Sequence, residues 1–156
     1  MSTTALKPAD IKVFSDAAMA FFGHTTDKRA AVKTAYLMDR RDAVVWSDFQ
    51  GMIELGGRYR GSVAFSAPRG LLSHVLLLIG EGDYSDASHR DIVGEIANQM
   101  SGYARRHFGQ TMDISPPRIL TKPGDLTDVA PGAVPFVIPL MWERYEANLV
   151  VRMTSV

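Results

Sequence analysis

Between Ser88 and Phe108 the apolar residues recur every three or four positions, and no other stretch limits the possible folds so tightly. With Asp91 at zero and an advance of about 100° per residue, Ile92, Val93, Ile96, Ala97, Met100, Tyr103 and Ala104 lie within about 80° of one line. Asp91, Glu95, Asn98, Gly102 and Arg105 lie within roughly 40° of the opposite line. A helix this long must bury one whole side, so the rest of the chain has to offer it a broad apolar surface. Gly109 is the expected stop. Ser88 with Asp91 is the expected start, although Glu or Gln is the usual fourth residue of such a cap. Tyr103 and His107 fall on the side to be buried and read as core residues with satisfied polar tips.

The remaining segments supply that surface. Pro8 suits the first position of a helix carrying Ile11, Phe14, Ala18 and Phe21/Phe22, with Gly23 as its left-handed end. Arg29 to Met38 reads as a strand, with Asp39-Arg-Arg-Asp42 as its turn. Ala43 to Ser66 reads as a hairpin about Gly56-Gly57. Pro68 opens a short helix whose Leu71, Leu72, Val75, Leu76 and Ile79 read as core, closed by Gly80. The acidic stretch Glu81 to Ser88 is a loop. After the long helix come a strand near Met112 to Thr121, a loop Lys122 to Gly132, and strands near Ala133 to Met141 and Arg144 to Met153. Pro135 and Pro139 cannot donate ladder hydrogen bonds, so their strand is expected at an edge or with a bulge. The expected class is α+β: helices on a mainly antiparallel sheet, as one domain over residues 1–156.

Composition excludes several function classes. Seventeen basic and seventeen acidic side chains cancel, which offers no electrostatic case for nucleic acid or an anionic membrane. The lack of cysteine removes disulfides, thiolate metal sites and a Cys nucleophile. The start, MSTTALKPADIKVF, has no basic segment followed by an apolar run, and Leu71 to Ile79 is under half the roughly 20 residues needed to span a bilayer. A cytoplasmic location is the expectation. His24, His74, His89 and His107 contain no i, i+4 pair, Ser62, Ser66 and Ser73 have no identifiable His partner or nucleophile elbow, and no Gly-Lys-Ser/Thr follows the glycines. Asp39, Asp42 and Asp48 match no calcium-loop spacing. Trp46 and Trp142 read as core or interface anchors.

The polar stripe of the long helix is the remaining candidate. Periodicity alone makes it solvated surface. Two residues argue otherwise: Asn98 is a poor helix former, and Gly102 in mid-helix costs roughly 1 kcal/mol relative to Ala. Either something approaches Gly102 closely, or a neighbouring loop packs there. An amide offers both donor and acceptor and can aim a water without taking its proton. A carboxylate three residues earlier shares its face and can pair with a partner's cation. That combination suits water positioning for attack on a phosphoryl group better than general acid–base chemistry.

Asp91-Ile-Val-Gly-Glu95-Ile-Ala-Asn98, then Met100, Gly102, Gly109 and Asp113-Ile-Ser-Pro-Pro117, resembles the CheX branch of the CheC/CheX/FliY family, which are phosphatases of the response regulator CheY. The resemblance also takes in the leading helix, the hairpin ending Gly61-Ser-Val-Ala-Phe65-Ser and the Leu-rich helix. It implies that Asn98 orients the water attacking the aspartyl-phosphate and that Glu95 pairs with the regulator's active-site lysine. Asp91 would serve for support, and Gly102 for the partner's approach. It also implies a phosphorylated CheY-like receiver as partner, Mg²⁺ held by that receiver with no cofactor on this chain, and a homodimer sharing strands. CheC carries two such motifs; Ala67 to His74 here has no Glu-x-x-Asn, which favours the CheX pattern. Pro116 and Pro117 stand 18 and 19 positions past Asn98, closer than in CheC, and read as a packing turn. The competing expectations are a non-catalytic receiver-binding or adaptor module of the same fold and a small-ligand sensor.

Overall fold

The computed structural model describes residues 4–5, 7–38, 45–120 and 134–155. Three helices, α1 (Pro8–Thr26), α2 (Arg69–Leu78) and α3 (Asp86–Phe108), lie against one sheet. Its strands are β1 (Thr4–Ala5), β2 (Ala30–Val32), β3 (Tyr36–Leu37), β4 (Phe49–Gly57), β5 (Tyr59–Ala67), β6 (Met112–Ile114), β7 (Arg118–Leu120), β8 (Phe136–Trp142) and β9 (Tyr145–Ser155). The order is β2-β8-β9-β5-β4-β6, with β3 beside β8, β7 beside β4 and β1 beside β9, and every pairing is antiparallel. This is the expected α+β class. The turn at residues 39–42 and the loop at 122–132 fall outside the described residues.

Both faces of the central strands are covered, which is why β4 and β5 are almost wholly buried instead of alternating. Ile53, Val63, Phe65, Leu149 and Val151 join the helices in the main core. Met52, Ala64, Val137 and Val150 face the other way and pack with Val45 and Leu120.

Local chemistry sets the element ends. Lys7 caps α1, its amide donating to Asp10 Oδ2 at 3.0 Å, and Pro8 takes the first helical position. The helix runs past Gly23 to Thr26 and ends on Asp27 at φ 59°. Burial of Phe21, Phe22 and Thr26, with the Thr26 hydroxyl donating to the Phe22 carbonyl, holds the last turn that the sequence had assigned to a glycine stop. The β4–β5 reversal centres on Arg58, with Leu55 opposite Gly61, because Gly56 and Gly57 remain in the ladder opposite Asp113 and Met112 of β6.

The strand expected over residues 29–38 is two short pieces. Val32 faces Leu140 but Tyr36 faces Val137, so three residues, 33–35, oppose two, 138 and 139. Pro139 accepts from the Lys33 amide at 2.8 Å, and its missing N–H falls on that same side, where the bulge absorbs it. Similarly, Ser115-Pro116-Pro117 divides the strand near 112–121 into β6 and β7, both paired to β4.

α3 lies directly on β4. A Cβ added to Gly51 would sit 2.6 Å from the Val93 carbonyl oxygen and 2.9 Å from Gly94 Cα, so only glycine lets the backbones come this near. On the strand side of the same contact, a Cβ on Gly94 would stand 3.3 Å from Pro117 Cβ and 3.2 Å from Ile119 Cδ1. Pro117 therefore packs over Gly94, in keeping with a packing turn. Gly51→Ala is expected to lower stability by about 1–3 kcal/mol, an overpacking cost, read as an earlier urea midpoint.

Candidate docking and catalytic ridge

Burial along α3 follows the expected stripe. Ile92, Val93, Ile96, Ala97, Met100 and Ala104 are buried against the sheet, and Asp91, Glu95 and Arg105 are exposed. The helix begins two residues before the expected Ser88, because Ser85 is its cap and accepts the Ser88 amide at 3.2 Å. Gly109 ends it at φ 91°. His107 is exposed, correcting the expectation of a core position, and Tyr103 is half-buried against the main core.

The structure brings Glu95 and Asn98 onto one outward ridge, one turn apart. Glu95 accepts a hydrogen bond from Gln99 Nε2 at 3.0 Å, which orients its carboxylate along the helix and leaves it exposed. Asn98 is half-buried, and among the described residues no hydrogen bond ties down its carboxamide. Its donor and acceptor are both available to a molecule held there. Gly102 stands one turn further on, and an added Cβ would meet nothing within 4 Å. Among the described residues, no loop packs against this glycine.

Two grooves flank the ridge. On the α2 side, Leu76, Ile79, Glu81, Ser88, Asp91, Ile92 and Glu95 enclose about 250 Å³. Ile79, expected in the core, is 44% exposed on this rim, because α2 ends at Leu78; Leu77 and Leu78 are exposed beside it. On the α1 side, Ala17, His24, Asn98, Gly102, Tyr103 and Arg106 are among the residues around about 420 Å³. Asp91 and Glu95 therefore open to one groove, Asn98 and Gly102 to the other.

One polar pair escaped the sequence. Ser73 Oγ lies 2.7 Å from His89 Nε2, and His89 Nδ1 lies 2.7 Å from the Ser85 carbonyl oxygen. The carbonyl can only accept, so Nδ1 carries the proton and Nε2 accepts the Ser73 hydroxyl. His89 is 1% exposed and stacks on Phe49 at 5.3 Å. Buried and fully occupied, it ties α2 to α3. Arg69 adds a second tie, 2.7 Å from Asp86, and its hydrogen bond and charge hold the Asp86 carboxyl below its ordinary range. Trp142 is wholly buried and donates from Nε1 to the Lys28 carbonyl at 3.0 Å, as an anchor of the core. Among the described residues, no three His, Cys, Asp or Glu side chains converge as metal ligands, and no helix is long and apolar enough to cross a membrane.

Known proteins match this arrangement. The family profile for chemotaxis phosphatase CheX matches residues 49–141, from the start of β4 through the ridge and most of β8. The chain belongs to the CheX family. No curated protein matches its sequence. Solved structures share the fold at low identity. A CheC-like superfamily protein from Shewanella is 18% identical, with a TM-score of 0.79, covering 95% of this chain and 99% of its own. The chemotaxis protein CheX from Vibrio vulnificus is also 18% identical, at a TM-score of 0.77, covering 93% and 99%. CheX of Borrelia burgdorferi, solved with CheY, BeF₃ and Mg²⁺, is 16% identical at a TM-score of 0.69, covering 92% and 96%. The fold is therefore CheC/CheX-like. Since Gly102 costs helix stability and an added Cβ would meet no atom of the described residues within 4 Å, Gly102→Ala is expected to raise the melting temperature by about 2–4 °C, measured by calorimetry.

Proposed function

We propose that this CheX-family chain is a phosphatase that hydrolyses the aspartyl-phosphate of a CheY-like receiver. The supporting observation is the unbonded, half-buried Asn98 carboxamide, one turn from an exposed carboxylate on the outer ridge of a rigid helix. In this reading Asn98 holds a water by donor and acceptor, in line with the bond from phosphorus to the receiver's aspartate oxygen. The water oxygen forms the new bond to phosphorus, the aspartate leaves as a carboxylate, and the water's proton passes to the released phosphate or to solvent. This chain takes up no proton in the step; it contributes position. Mg²⁺ belongs to the receiver, where it neutralises the phosphoryl oxygens.

Glu95 pairs with the receiver's lysine and sets the distance at which Asn98 arrives. Asp91, on the same groove, adds to the negative field there. CheX of Borrelia burgdorferi in complex with CheY supports the choice of partner. The pairing of two copies into a strand-sharing homodimer, and a cytoplasmic setting, complete the reading.

Asn98→Ala is expected to lose about 10²–10³-fold in the rate of receiver dephosphorylation while still binding, followed as decay of a phosphorylated CheY-like receiver. Equal decay with wild type, variant and buffer would favour a receiver-binding adaptor. Glu95→Ala should raise KM. Light scattering at micromolar concentration is expected to return the mass of two chains, and a clean monomer would refute the dimer.

A further inference from the structure

The two grooves beside the ridge differ in charge. Among the described residues, the α2-side groove is lined by Glu81, Asp91 and Glu95 and by no basic residue. The α1-side groove is lined, among the described residues, by His24 and Arg106 and by no carboxylate. On α1, Asp16 is bonded to Lys12 at 2.9 Å, and Asp27 lines the neighbouring groove that shares Ala20 and His24 with this one. Asn98 stands on the border.

Arg106 is exposed, and its guanidinium lies 5.8 Å from the centre of the Tyr103 ring. It therefore leans back along α3, toward the turn that holds Gly102, as long helical side chains do. Among the described residues it makes no ion pair. Asn98 and Arg106 are eight residues apart, about 12 Å along the axis, and between them Gly102 leaves the helix backbone bare.

We propose that the α1–α3 groove receives an acidic segment of the receiver, which crosses the backbone at Gly102 and is held by Arg106. This rests on the phosphatase reading above and names a residue that determines partner choice. The receiver's chemistry supplies the complementary charges. A site that holds Mg²⁺ beside a phosphorylated aspartate needs further carboxylates, and the lysine proposed to meet Glu95 brings the opposite charge. A partner with its cation toward α2 and its acids toward α1 fits in one orientation only. The reverse orientation sets carboxylate against Glu81, Asp91 and Glu95. Charge polarity across the ridge therefore selects the pose in which Asn98 meets the phosphoryl group. Arg106 is a positioning residue and does not touch the reacting atoms.

The test uses the full chain and a CheY-like receiver activated with beryllofluoride and Mg²⁺, with affinity read by anisotropy and turnover read separately on the phosphorylated receiver. Arg106→Gln is expected to weaken binding about tenfold and to flatten its dependence on salt, while Arg106→Lys keeps most of both. At saturating receiver the turnover rate of Arg106→Gln should equal wild type, which separates a docking role from a catalytic one. Equal melting temperatures for the two variants would confirm that folding is not the cause. Wild-type affinity and salt dependence in Arg106→Gln would overturn this proposal alone. A wild-type chain that neither binds nor accelerates decay would overturn the phosphatase reading, and this proposal with it.

Discussion

The ridge depends on the contact between α3 and β4 at Gly51. There a helix lies close enough to a strand that a single methyl group would press on the Val93 carbonyl. The closeness fixes the height of α3 above the sheet, and Pro117 and Ile119 against Gly94 fix it from the side. Glu95 follows Gly94 directly, so the residue that leads the ridge is anchored by its own neighbour. A positioning catalyst has little besides geometry to offer, and misplacement of about 1 Å can cost on the order of 10²-fold. Clamping the helix by backbone contacts, instead of by rotatable side chains, suits that need.

The flanking helices turn the ridge into a surface with direction. α2 is tied to α3 through Ser73, His89, Arg69 and Asp86, so the acidic groove keeps its shape. α1 packs on the other side and contributes His24 to the basic groove. Leu76 and the exposed Ile79 line the acidic side, giving apolar area next to the charges.

How much of this could be read in the sequence follows from which interactions are local. The α3 stripe was legible because helical periodicity depends only on spacing, and it placed Glu95 and Asn98 outward as observed. Pro139 announced a break in the ladder because a missing N–H is a property of one residue, although the extra residue lies in the partner segment 33–35 and not in the proline's own strand. Ile79 misled, since periodicity carries α2 one residue past Leu78, where the helix ends. Ser73 and His89, sixteen positions apart, meet only once α2 and α3 have packed. The cost of Gly102 was visible in the sequence, but the empty space above it was not. Asp91, Glu95 and Arg106 all stand on α3, but Glu81 comes from the loop before it and His24 from α1, so the sorting of charge into two grooves appears only once the helices pack.

A structure of this chain bound to a beryllofluoride-activated CheY-like receiver would decide the matter most directly. The account predicts the Asn98 carboxamide within hydrogen-bond reach, about 2.6–3.2 Å, of a water in line with the Be–O bond to the receiver's aspartate. Asn98 turned away from that site, with another face of the chain on the receiver, would contradict it.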